Sequence, residues 1–278
     1  MLSHWLLMTA YFFAIALTFG FMVFPVVAIF FHVPITTLLH ALSNPVVTDA
    51  LIVTGKAILF AQVVILGFGT PTAWFLASHR FRGRSLVITL VELPIVLPPA
   101  VAGIGLIVAY GRLGLLNSTF QFLGINVYFN LAAVVFAVIL VSGPFYVRQA
   151  IATFEAVDGN MIAASRTLGA GPMRTFFRVT LPLSRGGLLA GESLCLARGL
   201  GEFGATILFA GSLQGRTQTV PLAIYQAFES GSPDGLALCL AMSALLVVIS
   251  LTILLVLKAG VLWQPSRQSS PSLFGPTG

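Results

Sequence analysis

The stretch AASRTLGAGPMRTFFRVTLP, residues 163–182, carries Arg166, Arg174 and Arg178 and is broken by Gly169, Gly171-Pro172 and Pro182, yet it lies between long apolar runs. Around it, 58% of the 278 residues are hydrophobic and 8% charged, with a mean hydropathy of +1.01. A soluble domain carries about a quarter charged residues, so this composition indicates a polytopic membrane protein and excludes an ordinary soluble enzyme. The net charge of +6 does not point to nucleic acid, because the basic residues sit in short connections between apolar segments rather than on one face. Cys195 and Cys239 lie inside apolar segments with no CxxC spacing, which reads as two small buried side chains. No metal site or cofactor is expected.

A hydrocarbon core about 30 Å thick needs roughly 20 apolar helical residues. Six stretches qualify, 5–32, 51–78, 86–109, 131–152, 187–211 and 236–260, so the expected fold is all-α with six transmembrane helices. The first is expected to remain as a span, since it lacks a basic leading region and ends in FFHVP. Arg80, Arg82 and Arg84 crowd the connection 79–85, and Arg166, Arg174 and Arg178 crowd the one running from Arg148 to Arg185. The alternate connections carry Arg112, Arg216 or no basic residue, so the positive-inside rule puts the arginine-rich loops and both termini in the cytoplasm. Residues 1–46 then form a first helix with an external loop, and 47–263 form the main membrane domain with a cytoplasmic elbow at 156–182. The Ser-, Pro- and Gly-rich tail 264–278 is expected to be disordered.

Within the elbow, Met161, Ala164, Ser165 and Leu168 fall at helical spacing on one mostly apolar face. Gly169 suits the position after a helix end, and Gly171-Pro172 prevents simple continuation. A second short helix follows, with Arg174 and Arg178 four apart, and Leu181-Pro182 is expected to end it. On composition alone this is either a docking element or a loop helix whose arginines face anionic lipid.

The order of residues is more specific. Gly169, nine residues and Val179-Thr180-Leu181-Pro182 resemble the EAA signature of ABC importer permeases, whose coupling helix inserts into an ATPase subunit. Ala163 stands where that signature has glutamate, followed by Ala164 and Ser165, and Val179 stands at its isoleucine. With ELPIVLPPAVAG (92–103) and ARGLGEFGATI (197–207), the chain from about 47 to 260 resembles the molybdate permease subunits of ABC importers, with sulfate permeases next. The resemblance implies a type I importer permease fold in the cytoplasmic membrane. It also implies a coupling role for Ala163, Ala164, Ser165, Arg166, Leu168, Gly169, Leu181 and Pro182. The partners it implies are two cytoplasmic ATPases, an extracytoplasmic oxyanion-binding protein and a second, identical permease chain.

The transport path is read from residues that lipid tolerates poorly. Arg198 and Glu202 fall near the middle of the fifth segment, where insertion scales charge roughly 2.5–3.5 kcal/mol for an arginine. Their spacing allows an ion pair that only holds the helix, or a cation on a transiently wet path with Glu202 preventing a trap. Phe203 adjoins them. Ala197, Gly201 and Ala205 form a small-residue row that favours a close helix contact. Pro94, Pro98 and Pro99 interrupt the third segment, as either a path-lining bend or a packing kink.

No hydrolytic chemistry is encoded. Gly55-Lys56 has Ala50 where a P-loop needs its first glycine and Ala57 where it needs a hydroxyl, so ATP hydrolysis is expected on another chain. Sulfate or tungstate is the alternative cargo, and an ATP-independent anion carrier or channel is the rival class, but the absence of internal repeats and the presence of the elbow weigh against that class.

Overall fold

The computed structural model describes residues 2–124 and 126–262, and among these every regular element is helical. The tail at 264–278 lies outside the described residues. α1 (Leu2–His32) is peripheral: none of its apolar window Leu7–His32 is buried by the rest of the chain. The expected external loop contains α2 (Ile35–Ala41), whose Ala41 packs with Val47 and Met242. Asn44 then caps the next helix by accepting the Val46 N–H at 2.9 Å.

α3 (Pro45–Val64), a π turn (Ile65–Gly69) and α4 (Thr70–Ser78) form one 34-residue rod, which starts six residues before the expected 51. α5 (Arg84–Val96) and α6 (Pro99–Tyr110) follow, then a short α7 (Asn117–Phe122). α8 (Leu131–Glu155) is the central post, with 61% of its apolar window buried. After it come α9 (Gly159–Thr167), α10 (Pro172–Thr175), a second π turn (Phe176–Thr180) and α11 (Leu181–Leu200). α12 (Gly204–Phe209), α13 (Val220–Glu229) and α14 (Pro233–Leu262) complete the chain.

Four of these helical stretches are long and apolar enough to cross a membrane, five if the α5–α6 pair is one broken span. Two expected spans are therefore corrected. The segment 86–109 bends by 114° between α5 and α6. Pro98 and Pro99 both lack the N–H that would carry a helix through, and Pro98 instead caps α6 with extended backbone. The segment 187–211 is also not one helix, because α11 stops at Leu200 and α12 starts at Gly204. α11 has the length to cross, about 30 Å, but carries Arg185, Glu192 and Arg198.

A third correction concerns Leu181-Pro182, which does not end a helix. α10, the π turn and α11 are continuous, with the Leu181 N–H reaching back five residues to the Phe176 carbonyl. The wider turn takes up the defect made by the missing donor at Pro182. Pro71 follows the first π turn at the same offset as Pro182 follows the second.

In lipid, helices associate through close packing rather than through hydrophobic gain over their surroundings, so small residues mark the contacts. On α11 the row against α8 is Gly187, Gly191 and Gly199. A Cβ at Gly187 would sit 2.2 Å from Thr153 Oγ1, and one at Gly191 2.9 Å from Gln149 Cβ. The expected row Ala197, Gly201 and Ala205 is not a single contact. Ala197 and Gly201 are exposed in this chain, while Ala205 is buried on α12 against Gly103 of α6.

Candidate functional site

The elbow is a capped corner. Asp158 accepts the Asn160 N–H at 2.9 Å and starts α9. At the other end Gly169 adopts φ +81°, its N–H donates to Arg166 O at 2.9 Å, and the Ala170 N–H donates to Ser165 O at 3.1 Å. This pair of bonds is a Schellman motif, which needs the left-handed backbone that glycine supplies without penalty. Pro172 then opens α10 at a position where its absent N–H costs nothing.

Two contacts fix the corner to the bundle. The Ser165 and Thr175 hydroxyls lie 3.1 Å apart, joining α9 to α10. Phe176 is buried against Trp74, with ring centroids 4.5 Å apart, and also meets Phe154 and Phe177. What remains faces outward: Met161, Ala163, Ala164 and Arg166 are exposed, and Leu168 is 88% exposed at the tip. Such a large apolar side chain on a rigid corner is suited to burial by a partner. Leu181 and Pro182 lie half-buried in the first turn of α11, where Leu181 packs on the core.

The second group of residues lies beyond the other end of α11. Arg198 is in its last turn, and Glu202 and Phe203 lie in the link to α12. Arg198 Nη2 is 2.8 Å from Glu202 Oε2, an ion pair without the alignment of a hydrogen bond. Glu202 is 2% exposed, and its other oxygen accepts the Ala205 N–H at 2.8 Å, which supplies a partner to the first turn of α12. Its carboxylate therefore ties both sides of the break, while the Arg198 side chain stays 29% accessible. Phe203 packs on Tyr225, with centroids 5.0 Å apart. An apolar cavity of about 370 Å³ adjoins them, lined by Gly201, Phe203, Pro221, Tyr225 and Phe228 among others.

The two breaks meet. A Cβ at Gly103 would be 2.9 Å from Leu208 Cβ, so α6 and α12 cross with almost no space between their backbones. Pro99 sits at that crossing against Gly204, and Pro98 precedes it. The structure thus brings Pro98, Pro99, Arg198, Glu202 and Phe203 into one region, separated by the length of α11 from the elbow residues.

Three features were not singled out from the sequence. Arg148 Nε reaches Glu92 Oε1 at 3.4 Å, and Arg84 pairs with Glu155, so two ion pairs of opposite polarity join α5 to α8. The glycine row 187, 191, 199 had a visible signal in its spacing by multiples of four. Glu192 and Gln62 line a mostly apolar cavity of about 430 Å³ between α3, α11, α13 and α14, and the Cys195 thiol donates to Gln62 Oε1 at 3.5 Å. Nothing in the local sequence around residue 62 links it to residue 195.

Residues 69–263 match the family described as "Binding-protein-dependent transport system inner membrane component". The chain is 40% identical over 237 residues to the molybdenum transport system permease protein ModB of Mycobacterium bovis, covering 84% of this chain and 88% of that protein. It is 34% identical over 231 residues to the sulfate transport system permease protein CysW of Synechocystis sp., covering 81% and 84%. Among solved structures, it is similar to a chain of a bacterial ABC transporter involved in the import of the acidic polysaccharide alginate. That match has a TM-score of 0.73 and 17% identity, over 92% of this chain and 95% of that one.

Proposed function

The chain belongs to the family of binding-protein-dependent transport system inner membrane components, and from that premise we propose how it works as the permease subunit of a molybdate ABC importer. The observation that carries the cargo assignment is the 40% identity to a molybdenum permease across most of both chains, against 34% and 38% to two sulfate permeases.

In this proposal the elbow meets a cytoplasmic ATPase. Leu168 and Met161 enter the partner, and Gly169 holds the corner rigid while Phe176 transmits its movement to α11. A second copy of the chain completes the pathway, and the exposed Ala197 and Gly201 offer it a close approach. A binding protein delivers the anion from outside. At the break, the Arg198 guanidinium lowers the desolvation barrier for a tetrahedral dianion, and Glu202 keeps the net charge low enough that the anion leaves. ATP hydrolysis resides on the ATPase chains.

The test is uptake in cells lacking their own molybdate and sulfate permeases, with this chain expressed beside its cognate ATPase and binding protein. Uptake of radiolabelled molybdate that a tenfold excess of sulfate leaves intact is expected. Restored sulfate uptake without molybdate uptake would move the chain to the sulfate group.

A further inference from the structure

The cavity of about 430 Å³ lined by Gln62 and Glu192 takes no part in the transport scheme. Its walls are mostly aliphatic, with Ile58 from α3, Leu196 from α11, and Leu246 and Ile253 from α14. Among them the fold sets two buried polar atoms with no hydrogen-bond partner among the described residues, Gln62 Nε2 and Glu192 Oε2. Gln62 is only 7% exposed, so bulk water does not satisfy its amide.

The two groups are close in the fold. The Cys195 thiol donates to Gln62 Oε1 at 3.5 Å, and Glu192 precedes Cys195 by three residues on the same face of α11. Thr54 also lines the cavity but is engaged elsewhere: its hydroxyl donates to Ala50 O at 2.8 Å and accepts the Val220 N–H at 2.9 Å. No lysine, arginine or histidine is among the described residues of the lining.

An unmatched donor and an unmatched acceptor are both unfavourable in an apolar wall, and a carboxylate there calls for a cation. The complement is a molecule that brings a cationic donor for Glu192, an acceptor for Gln62 and hydrocarbon for the remaining walls. A simple alcohol lacks the charge, and a simple amine has no acceptor for Gln62. The volume falls within the roughly 300–1,000 Å³ of small-molecule sites. We propose that this cavity binds a lipophilic β-amino alcohol, with its ammonium on Glu192 Oε2, its hydroxyl oxygen accepting from Gln62 Nε2, and its apolar part against α14. The site shares no residue with the elbow or with the Arg198–Glu202 pair, so it stands apart from the cargo assignment.

The probe is tritiated propranolol, an aryl ether of that class, added to the assembled transporter in nanodiscs. Empty nanodiscs of the same lipid measure partition into the bilayer. Saturable binding of one molecule per permease chain is expected. Glu192→Gln should weaken it on the order of 10- to 100-fold and Gln62→Leu about fivefold, the ranges for a charge-assisted and a neutral hydrogen bond. Two analogues run the same test from the ligand side, where folding of a variant plays no part. The diol with hydroxyl in place of the amine should match the Glu192→Gln loss. The amine without the hydroxyl should match the Gln62→Leu loss, and should bind wild type and Gln62→Leu alike.

Binding that only follows lipid partition overturns the proposal and assigns the two groups to buried water. Undiminished binding by Glu192→Gln, or of the diol, overturns it in favour of an apolar site that does not use the carboxylate. Probe binding by a complex that imports sulfate rather than molybdate would uphold the site and refute the cargo assignment alone.

Discussion

Pro99 and Gly204 touch where two interrupted helices cross, and a Cβ built on Gly204 would lie 2.6 Å from the Pro99 Cβ. Each residue belongs to a break, one before α6 and the other after α11. The contact makes the two interruptions a single structural unit, so movement of one break displaces the other.

Replacing Gly204 by alanine should therefore overpack that unit. A loss of about 1–3 kcal/mol is expected, seen as a lower thermal midpoint for the purified permease in detergent. Gly105→Ala, on α6 one turn from the crossing, is the control, because an added Cβ there meets nothing within 4 Å. Equal midpoints for the two variants would contradict the close crossing.

At the elbow the expectation has a different physical origin. A Cβ at Gly169 meets nothing within 4 Å, so only the φ of +81° resists substitution. Gly169→Val should cost roughly 1–2 kcal/mol locally by opposing the left-handed cap, weakening ATPase capture while membrane insertion is unchanged. Full ATPase association and transport by this variant would count against the coupling role.

The α8–α11 contact makes a steric prediction. Gly187→Ala should destabilise the bundle because its methyl would meet Thr153 Oγ1 at 2.2 Å and Cγ2 at 2.5 Å. Adding Thr153→Ala removes both atoms and should restore most of the lost thermal midpoint. No rescue in the double variant would show that α11 sits elsewhere on α8.

Orientation is open to a labelling test. In a background without Cys195 and Cys239, single cysteines at Arg82 and Arg174 should resist an impermeant thiol reagent in intact cells and react after lysis. Ready labelling before lysis would reverse the topology.

The sequence was legible where local chemistry dominates. Gly169 and Pro172 define the elbow through backbone rules, and the structure places a Schellman cap and a helix start at those positions. The proline break in the third segment followed from the missing donors at Pro98 and Pro99, although its 114° angle depends on what α6 packs against. Reading 187–211 as one helix went astray because the second half of the run is apolar apart from Glu202. The helix stops at Leu200, and the Glu202 carboxylate then accepts the Ala205 N–H, a donor that a continuous helix would have spent on the backbone one turn earlier, while keeping its pair with Arg198. Pro182 misled in the opposite sense, since a π turn lets the chain continue through it. Long-range pairs such as Arg148 with Glu92 depend on how α5 lies along α8, which no local pattern encodes.

The role of the Arg198–Glu202 pair is the centre of the account, and charge removal at similar volume tests it most directly. Arg198→Met with Glu202→Gln avoids leaving either charge unpaired. The measurement is molybdate uptake into proteoliposomes holding the assembled transporter, beside the ATP hydrolysis stimulated by loaded binding protein. The account expects complexes that hydrolyse ATP but move little molybdate. Wild-type uptake by the double variant would contradict it and reduce the pair to a structural tie between α11 and α12.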